Sequence, residues 1–293
     1  RRPKAKIDRQ LCGTNLQSTK EQDANTMMEN PATDILYQTY DGSFQLECDA
    51  KVLSYQILED ATIHICLNQT VLHAQGGGQP TDKGEIVVSS SSGDEAIIEV
   101  TKVLLDRATG VVTHTGLVKD DAVTVSPGDA VHVKVDEDNR QLMSECHSGG
   151  HVVDAAMVRA GIDFKPIKGY HFVDGPYVEY KGTIPAEERA ETLKKLQTAF
   201  QEIVSEDIDT KIEVLPKQEA KERCSRLAEN FESMSGGDEA ETVRIVTVAG
   251  LSCPCGGTHI KNTGVLKERK WGIIGLKCKK GVLRVKYGQN WDA

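Results

Sequence analysis

At 293 residues the chain is long enough to bury a substantial core, and its length suggests two domains. No run of eighteen apolar residues occurs, which argues against a membrane span. A net charge of −9 argues against nucleic-acid binding through bulk charge and leaves local basic patches as the route to phosphates.

Eight scattered cysteines without a signal peptide point away from a disulfide framework and toward a reducing, cytoplasmic setting. Residues 1–26 carry several Lys and Arg and few large apolar residues. They are expected to form a disordered extension, bounded at residue 33, with a remnant organellar targeting segment as the alternative.

From Ile35 to Val135 short β-rich runs alternate with turns: ILYQTY, FQLECDAKVLSYQIL, ATIHICL, GEIVV, AIIEVTKVLL, GVVTHTG and AVHVKV. Regular short strands of this kind predict a small barrel or sandwich over 34–136, with a hairpin loop at Ser89–Asp94. After Asp136 the pattern changes. EDNRQLMSECHSGGHVVDAAMVRAG reads as a helix closing on Gly161, and GYHFVDGPYVEYKG as a hairpin. Pro185 opens a further helix with an apolar stripe of Leu193, Leu196, Phe200, Ile203 and Val204. A strand KIEVLP, a helix KQEAKERCSRLAEN, a strand VRIVTVAG and a hairpin turning at Lys279, Lys280 and Gly281 complete the chain. The expected fold class is therefore α+β: a small β-barrel over 34–136, then an α+β domain over 137–293 with an antiparallel sheet and packed helices.

Two short motifs carry donors for a metal ion. In His147-Ser-Gly-Gly-His151 the histidines lie four apart and share a helical face. Roughly 0.2 such pairs arise by chance in a chain with this many histidines, so the pair alone is weak and equally reads as two solvated or hydrogen-bonded side chains. In Cys255-Gly-Gly-Thr-His259 the glycine pair favours a turn, and the whole pattern has a chance expectation of roughly 0.002. Cys253 and Cys255 as a redox dithiol is disfavoured, because the usual spacing places two residues between cysteines. Four protein donors match a structural zinc, whereas a hydrolytic zinc keeps a position for water; spacing leaves both open.

A third motif, Gln75-Gly-Gly-Gly-Gln79-Pro-Thr-Asp-Lys-Gly84, exposes backbone N–H groups at Gly77 and Gly78. It lacks the Gly-Lys-Ser/Thr ending of a P-loop, so no ATP is expected; a plain tight turn between strands is the alternative. Lys261, Lys267, Arg269, Lys270, Lys277, Lys279, Lys280, Arg284 and Lys286 stand against the single acid Glu268. This run reads either as a phosphate-contacting patch or as an edge hairpin protected by lysines.

Taken together, GGGQPTDKG (76–84), VDEDNRQLMSECHSGGH (135–151), GYHFVDGPYVEY (169–180) and CPCGGTHIKNTG (253–264) resemble the AlaX-type editing proteins in the family's order. Those proteins are related to the editing domains of alanyl- and threonyl-tRNA synthetases, and the resemblance covers residues 34–288. It implies a barrel followed by an α+β domain with the active site between them. It also implies zinc bound by His147, His151, Cys255 and His259, with Cys253 outside the ligand set. Gly77, Gly78 and Gln79 would lie beside the pocket and position the 3′ end of tRNA. From the residues themselves, the basic run Lys261 to Lys280 is expected to meet the tRNA, and Asp154, seven residues after His147 and so on the same helical face, to orient a histidine ligand. Ser148-Gly149-Gly150 departs from the family's usual Thr-Ala and is expected to loosen the helix near the metal.

The implied reaction is hydrolysis of serine, and perhaps glycine, from mischarged tRNA for alanine, acting in trans. The alternatives are a non-catalytic zinc-containing tRNA-binding module or the editing fragment of a full alanyl-tRNA synthetase. A generic zinc peptidase is disfavoured, because Ser148 stands where a His-Glu-x-x-His motif places its glutamate.

Overall fold

Alternation of apolar and polar residues builds the first half of the chain. In strand β3 (Thr62–Leu67) the residues Ile63, Ile65 and Leu67 are fully buried while their neighbours are half-exposed. The computed structural model describes residues 30–58, 62–89, 95–119, 125–224, 231–234 and 241–291. The expected extension over 1–29, residues 90–94 of the predicted hairpin loop and residues 225–230 of the predicted helix lie outside them.

Six strands close an antiparallel barrel in the order β2-β3-β7-β6-β5-β8: β2 (Glu47–Ile57), β3, β5 (Gly84–Ser89), β6 (Glu95–Leu105), β7 (Val112–Val118) and β8 (Ala130–Val135). Closure leaves no open edge among them. The run ILYQTY, expected as a strand, behaves differently. Only β1 (Asp34–Ile35) pairs, in parallel with β4 (Gln69–Thr70), and single 3-10 turns follow at Leu36–Gln38 and Asp41–Phe44. The reason is local hydrogen bonding: the Ser43 hydroxyl donates to the carbonyls of Tyr37 and Thr39, both at 2.8 Å, and curls the backbone back on itself.

The second half is α+β. Helix α1 (Glu137–Arg159) is capped by the Asp136 side chain, which accepts from the Asn139 amide, and ends where Gly161 takes a φ of 72°. Strands β9 (Lys165–Tyr170) and β10 (Tyr177–Lys181) form a hairpin. After the 3-10 turn Ala186–Glu188 comes α2 (Arg189–Ser205), which buries Leu196, Phe200, Ile203 and Val204. Next come β11 (Lys211–Pro216), α3 (Lys217–Arg223), α4 (Phe231–Met234), β12 (Thr242–Val248), β13 (Leu251–Pro254), α5 (Gly264–Glu268), β14 (Trp271–Lys279) and β15 (Val282–Gln289). They form a four-stranded antiparallel sheet, β14-β15-β10-β9, and a three-stranded one, β11-β12-β13. A core of Val152, Ala156, Met157, Phe200, Val285 and Tyr287 joins α1 and α2 to the larger sheet.

Helix α1 is buried on two faces, and the second is polar. Arg140, Ser144, Glu145, His147 and Ser148 are all nearly inaccessible, which is tolerable only because each has a partner. Arg140 donates to Asp82 and to the Val71 carbonyl of the barrel. Ser144 bonds Thr258, and Glu145 accepts from the Trp271 indole at 2.8 Å and from Arg269. These bonds make α1 the axle between barrel and sheet. No helix among the described residues is long and apolar enough to cross a membrane.

Candidate metal centre and pocket

His147 and His151 lie one helical turn apart on α1, while Cys255 and His259 lie on the segment after β13. The structure brings their four donor atoms within 4.8 Å of one another. The Cys255 thiol lies 3.5 Å from His147 Nε2 and 3.3 Å from His259 Nε2. A tetrahedral zinc holds a sulfur and a nitrogen ligand about 3.5 Å apart, so the donor set fits that ion in kind and spacing.

The outer nitrogens of the three histidines support the same reading. Gln79 Oε1 accepts from the Thr258 amide at 3.0 Å, which fixes the orientation of the carboxamide. His147 Nδ1 must therefore donate to that oxygen across 2.7 Å, leaving the Nε2 lone pair directed at the cluster. His259 Nδ1 meets Ser148 Oγ at 3.2 Å, and His151 Nδ1 meets Cys253 Sγ at 3.4 Å. Each ring thus has an outer partner and an inner Nε2, the arrangement that orients histidine ligands in metal sites.

Burial sets the protonation of these groups. It holds the His147 and His259 imidazoles well below the ordinary histidine range, with neighbouring histidines acting in the same direction. Burial, reinforced by the Arg244 charge, lowers His151 to about 4. The Cys255 thiol is pushed up by burial, and Arg244 opposes that shift. Arg244 also clamps the site by donating to the Cys255 carbonyl and, at 2.7 Å, to that of Gln38. Neutral imidazoles around a thiol concentrate lone pairs in one place, which a divalent cation satisfies.

The glycine-rich motif forms a two-residue turn, with Gly76 and Gln79 paired in a bridge and φ of 57° at Gly77 and 81° at Gly78. A Cβ on Gly78 would lie 2.6 Å from the Gly169 carbonyl, so β9 packs directly on the turn, and the His171 amide donates to the Gly78 carbonyl. Gly77 lines a cavity of about 490 Å³ between the barrel and the α+β half. Gln79 is not among the lining residues: it is fully buried, its Nε2 donates to Thr258 Oγ1, and its Oε1 supports His147.

Several further expectations change. Gly149 and Gly150 leave α1 continuous and instead admit the Tyr287 ring and His171; a Cβ on Gly150 would lie 2.3 Å from His171 Cε1. Asp154 lines the cavity, and its Oδ1 accepts from Tyr180 Oη at 2.6 Å. The basic run does not make one patch. Lys261 lies over the Phe44 ring, Arg269 is paired with buried Glu145, and exposed Lys267 and Lys270 flank it near α5. Lys277, Lys279 and Lys280 stand at the far end of β14, whose nine residues span about 30 Å. The bases that line the cavity are Arg107 and Lys168, which carried no signal in the sequence.

His171 is a second residue that the spacing did not mark. It is buried, lines the cavity and stacks on His147 with ring centroids 4.5 Å apart. Tyr287 Oη donates to the Cys146 carbonyl at 2.9 Å, so it accepts from His171 Nδ1 at 2.7 Å. The motif GYH holds this histidine, but alone in a hairpin it has no partner at ligand spacing.

Barrel, α+β half and a three-histidine, one-cysteine cluster at their junction define an α+β protein with a candidate metal centre. A family model described as tRNA synthetases class II (A) matches residues 4–139. The chain is 32% identical to the alanine–tRNA ligase of Prochlorococcus marinus over 202 residues, covering 69% of this chain and 21% of the relative. It is 31% identical to that of Methanosarcina acetivorans over 232 residues, 78% and 23% respectively. With that of Streptomyces avermitilis the identity is 30% over 217 residues, 71% and 22%. The chain is related to the alanine–tRNA ligases and aligns with about a fifth of their length.

Proposed function

We propose that the chain is an aminoacyl-tRNA deacylase that hydrolyses the ester joining serine or glycine to tRNA for alanine, acting in trans. The observation that carries this reading is the cluster of His147, His151, Cys255 and His259 beside a cavity, in a chain related to alanine–tRNA ligases. An aminoacyl ester is already activated, so catalysis consists of orienting a water and stabilising the oxyanion. The amides of Gly77 and Gly78 donate no hydrogen bond among the described residues, and Gly77 lines the cavity, so its N–H serves as an oxyanion or 3′-end donor. His171, held by Tyr287, packs His147 in place. His147, His151, Cys255 and His259 would hold a zinc ion, which would supply Lewis-acid chemistry at this end of the cavity.

The same site reads equally well as the editing portion of a longer alanine–tRNA ligase, because the aligned relatives are such ligases and the alignment covers about a fifth of them. Deacylation of seryl-, glycyl- and alanyl-tRNA for alanine, with and without chelator, tests the chemistry. Seryl or glycyl ester is cleaved, alanyl ester is spared, and chelator abolishes the activity. Unchanged deacylation by His151→Ala and Cys255→Ala, or rapid loss of the alanyl ester, would refute the reading. Activity of the isolated chain on tRNA already released from a synthetase supports action in trans.

A further inference from the structure

The cavity is electrically polarised. Among the described residues that line it, Asp154 is the only acid, and Arg107 and Lys168 are the bases. Asp154 follows His147 by seven positions, close to two turns of α1, so both side chains leave the same stripe of the helix. The fully buried Tyr180 of β10 holds its Oδ1 at 2.6 Å, fixing the carboxylate. Asp154 lines the cavity together with His147, His151 and Cys255, one turn of α1 beyond His151, so the carboxylate lies on the metal-cluster side. Arg107 and Lys168 are both exposed, one on the β6–β7 connection of the barrel and one on β9 of the α+β half.

A ligand matching this pattern carries a cation at its buried end and an anion at its exposed end. The 3′-aminoacyl terminus of a tRNA does so, with an α-ammonium beside the scissile ester and a phosphate on the 5′ side of the terminal nucleotide. Resting on the proposed deacylase reading, we infer that Asp154 binds the α-ammonium of the aminoacyl group and makes the site selective for esters with a free amine. A carboxylate held by a buried phenol is preorganised for that contact, and a charge-assisted bond in a partly dehydrated pocket is stronger than one in water. Esters without the ammonium forgo this charge-assisted contact and bind less tightly.

The test uses the full chain with two stable amide analogues of 3′-amino-3′-deoxyadenosine. One carries serine; the other carries 3-hydroxypropanoate, which lacks the ammonium and is no larger. Calorimetry is expected to show the seryl analogue binding about 10- to 100-fold more tightly to the wild-type chain, as expected for a hydrogen bond to a charged group. Asp154→Asn loses most of that preference with little change toward the hydroxypropanoyl analogue, and its melting temperature is retained because the amide oxygen still accepts from Tyr180. Asp154→Glu restores part of the preference. A wild-type chain that deacylates seryl-tRNA yet binds both analogues equally overturns the role of Asp154 and leaves the deacylase reading standing. A variant Asp154→Asn that keeps the full preference overturns it as well. Failure of the wild-type chain both to bind either analogue and to cleave seryl-tRNA overturns the two together.

Discussion

Gln79 of the barrel accepts the Nδ1 proton of His147 on α1 across 2.7 Å, and by doing so turns the Nε2 lone pair of that histidine toward Cys255. The contact joins residues 68 positions apart, and Gln79 is itself held by the Thr258 amide and hydroxyl. One carboxamide therefore ties together the barrel, the helix and the Cys-Gly-Gly-Thr-His loop.

Removing that carboxamide is expected to weaken metal binding without touching a ligand. Gln79→Ala leaves the His147 ring free to turn and the Thr258 amide unpaired. Zinc affinity, read by competition with a chromophoric chelator, should fall about 10- to 100-fold. Gln79→Glu keeps the acceptor oxygen and should stay near wild type. Equal affinities in Gln79→Ala and wild type would refute the supporting role.

A glycine inside a helix usually gains from replacement by alanine, by about 0.5–1 kcal/mol. At Gly150 the sign is expected to reverse, because the new Cβ meets His171 at 2.3 Å and Tyr287 Oη at 3.0 Å, and both rings are buried and hydrogen-bonded. Gly150→Ala should destabilise the protein by about 1–3 kcal/mol in urea unfolding. At Gly256, which also lines the cavity, an added Cβ would meet nothing within 4 Å, so Gly256→Ala should remain within about 0.5 kcal/mol of wild type.

Arg140 pairs with Asp82 in the interior and also satisfies the Val71 carbonyl. Arg140→Met leaves a buried carboxylate without its counter-charge, at a cost of about 3–5 kcal/mol. The double variant Arg140→Met with Asp82→Leu should recover part of the loss, although the His73 amide then lacks its acceptor. A loss below about 1 kcal/mol for Arg140→Met in urea unfolding would contradict this account.

Acid should destabilise the barrel through His114. Burial lowers its pKa to about 4; its Nδ1 donates to the Ile65 carbonyl and its Nε2 accepts from Thr70. The unfolded chain takes up this proton near pH 6.5 and the folded chain does not, so stability falls as the pH drops from about 6.5 toward 4. Between pH 7 and pH 5 the loss from this residue is about 2 kcal/mol. His114→Gln should flatten the measured pH profile of unfolding by that amount, and profiles of unchanged slope would count against it.

Fold class was legible because its signals are local. Alternation such as that of Ile63, Ile65 and Leu67 announces a half-buried strand, and the stripe Leu196, Phe200, Ile203 and Val204 announces a packed helix. Where local hydrogen bonds overrule alternation, as Ser43 does for residues 36–44, the strand expectation fails.

By itself the sequence determined the α+β architecture and two donor pairs at short spacing, since residues four apart are held together by the helix or turn that carries them. Only the tertiary structure decided that the pairs meet, that Gln79 faces inward, that His171 stacks on His147, and that Arg107 and Lys168 approach the cavity while the basic run divides. Those contacts join residues tens to hundreds of positions apart. They arise from the closing of a barrel onto a helix whose polar face is buried, and no pattern along the chain records which distant partner satisfies each polar group.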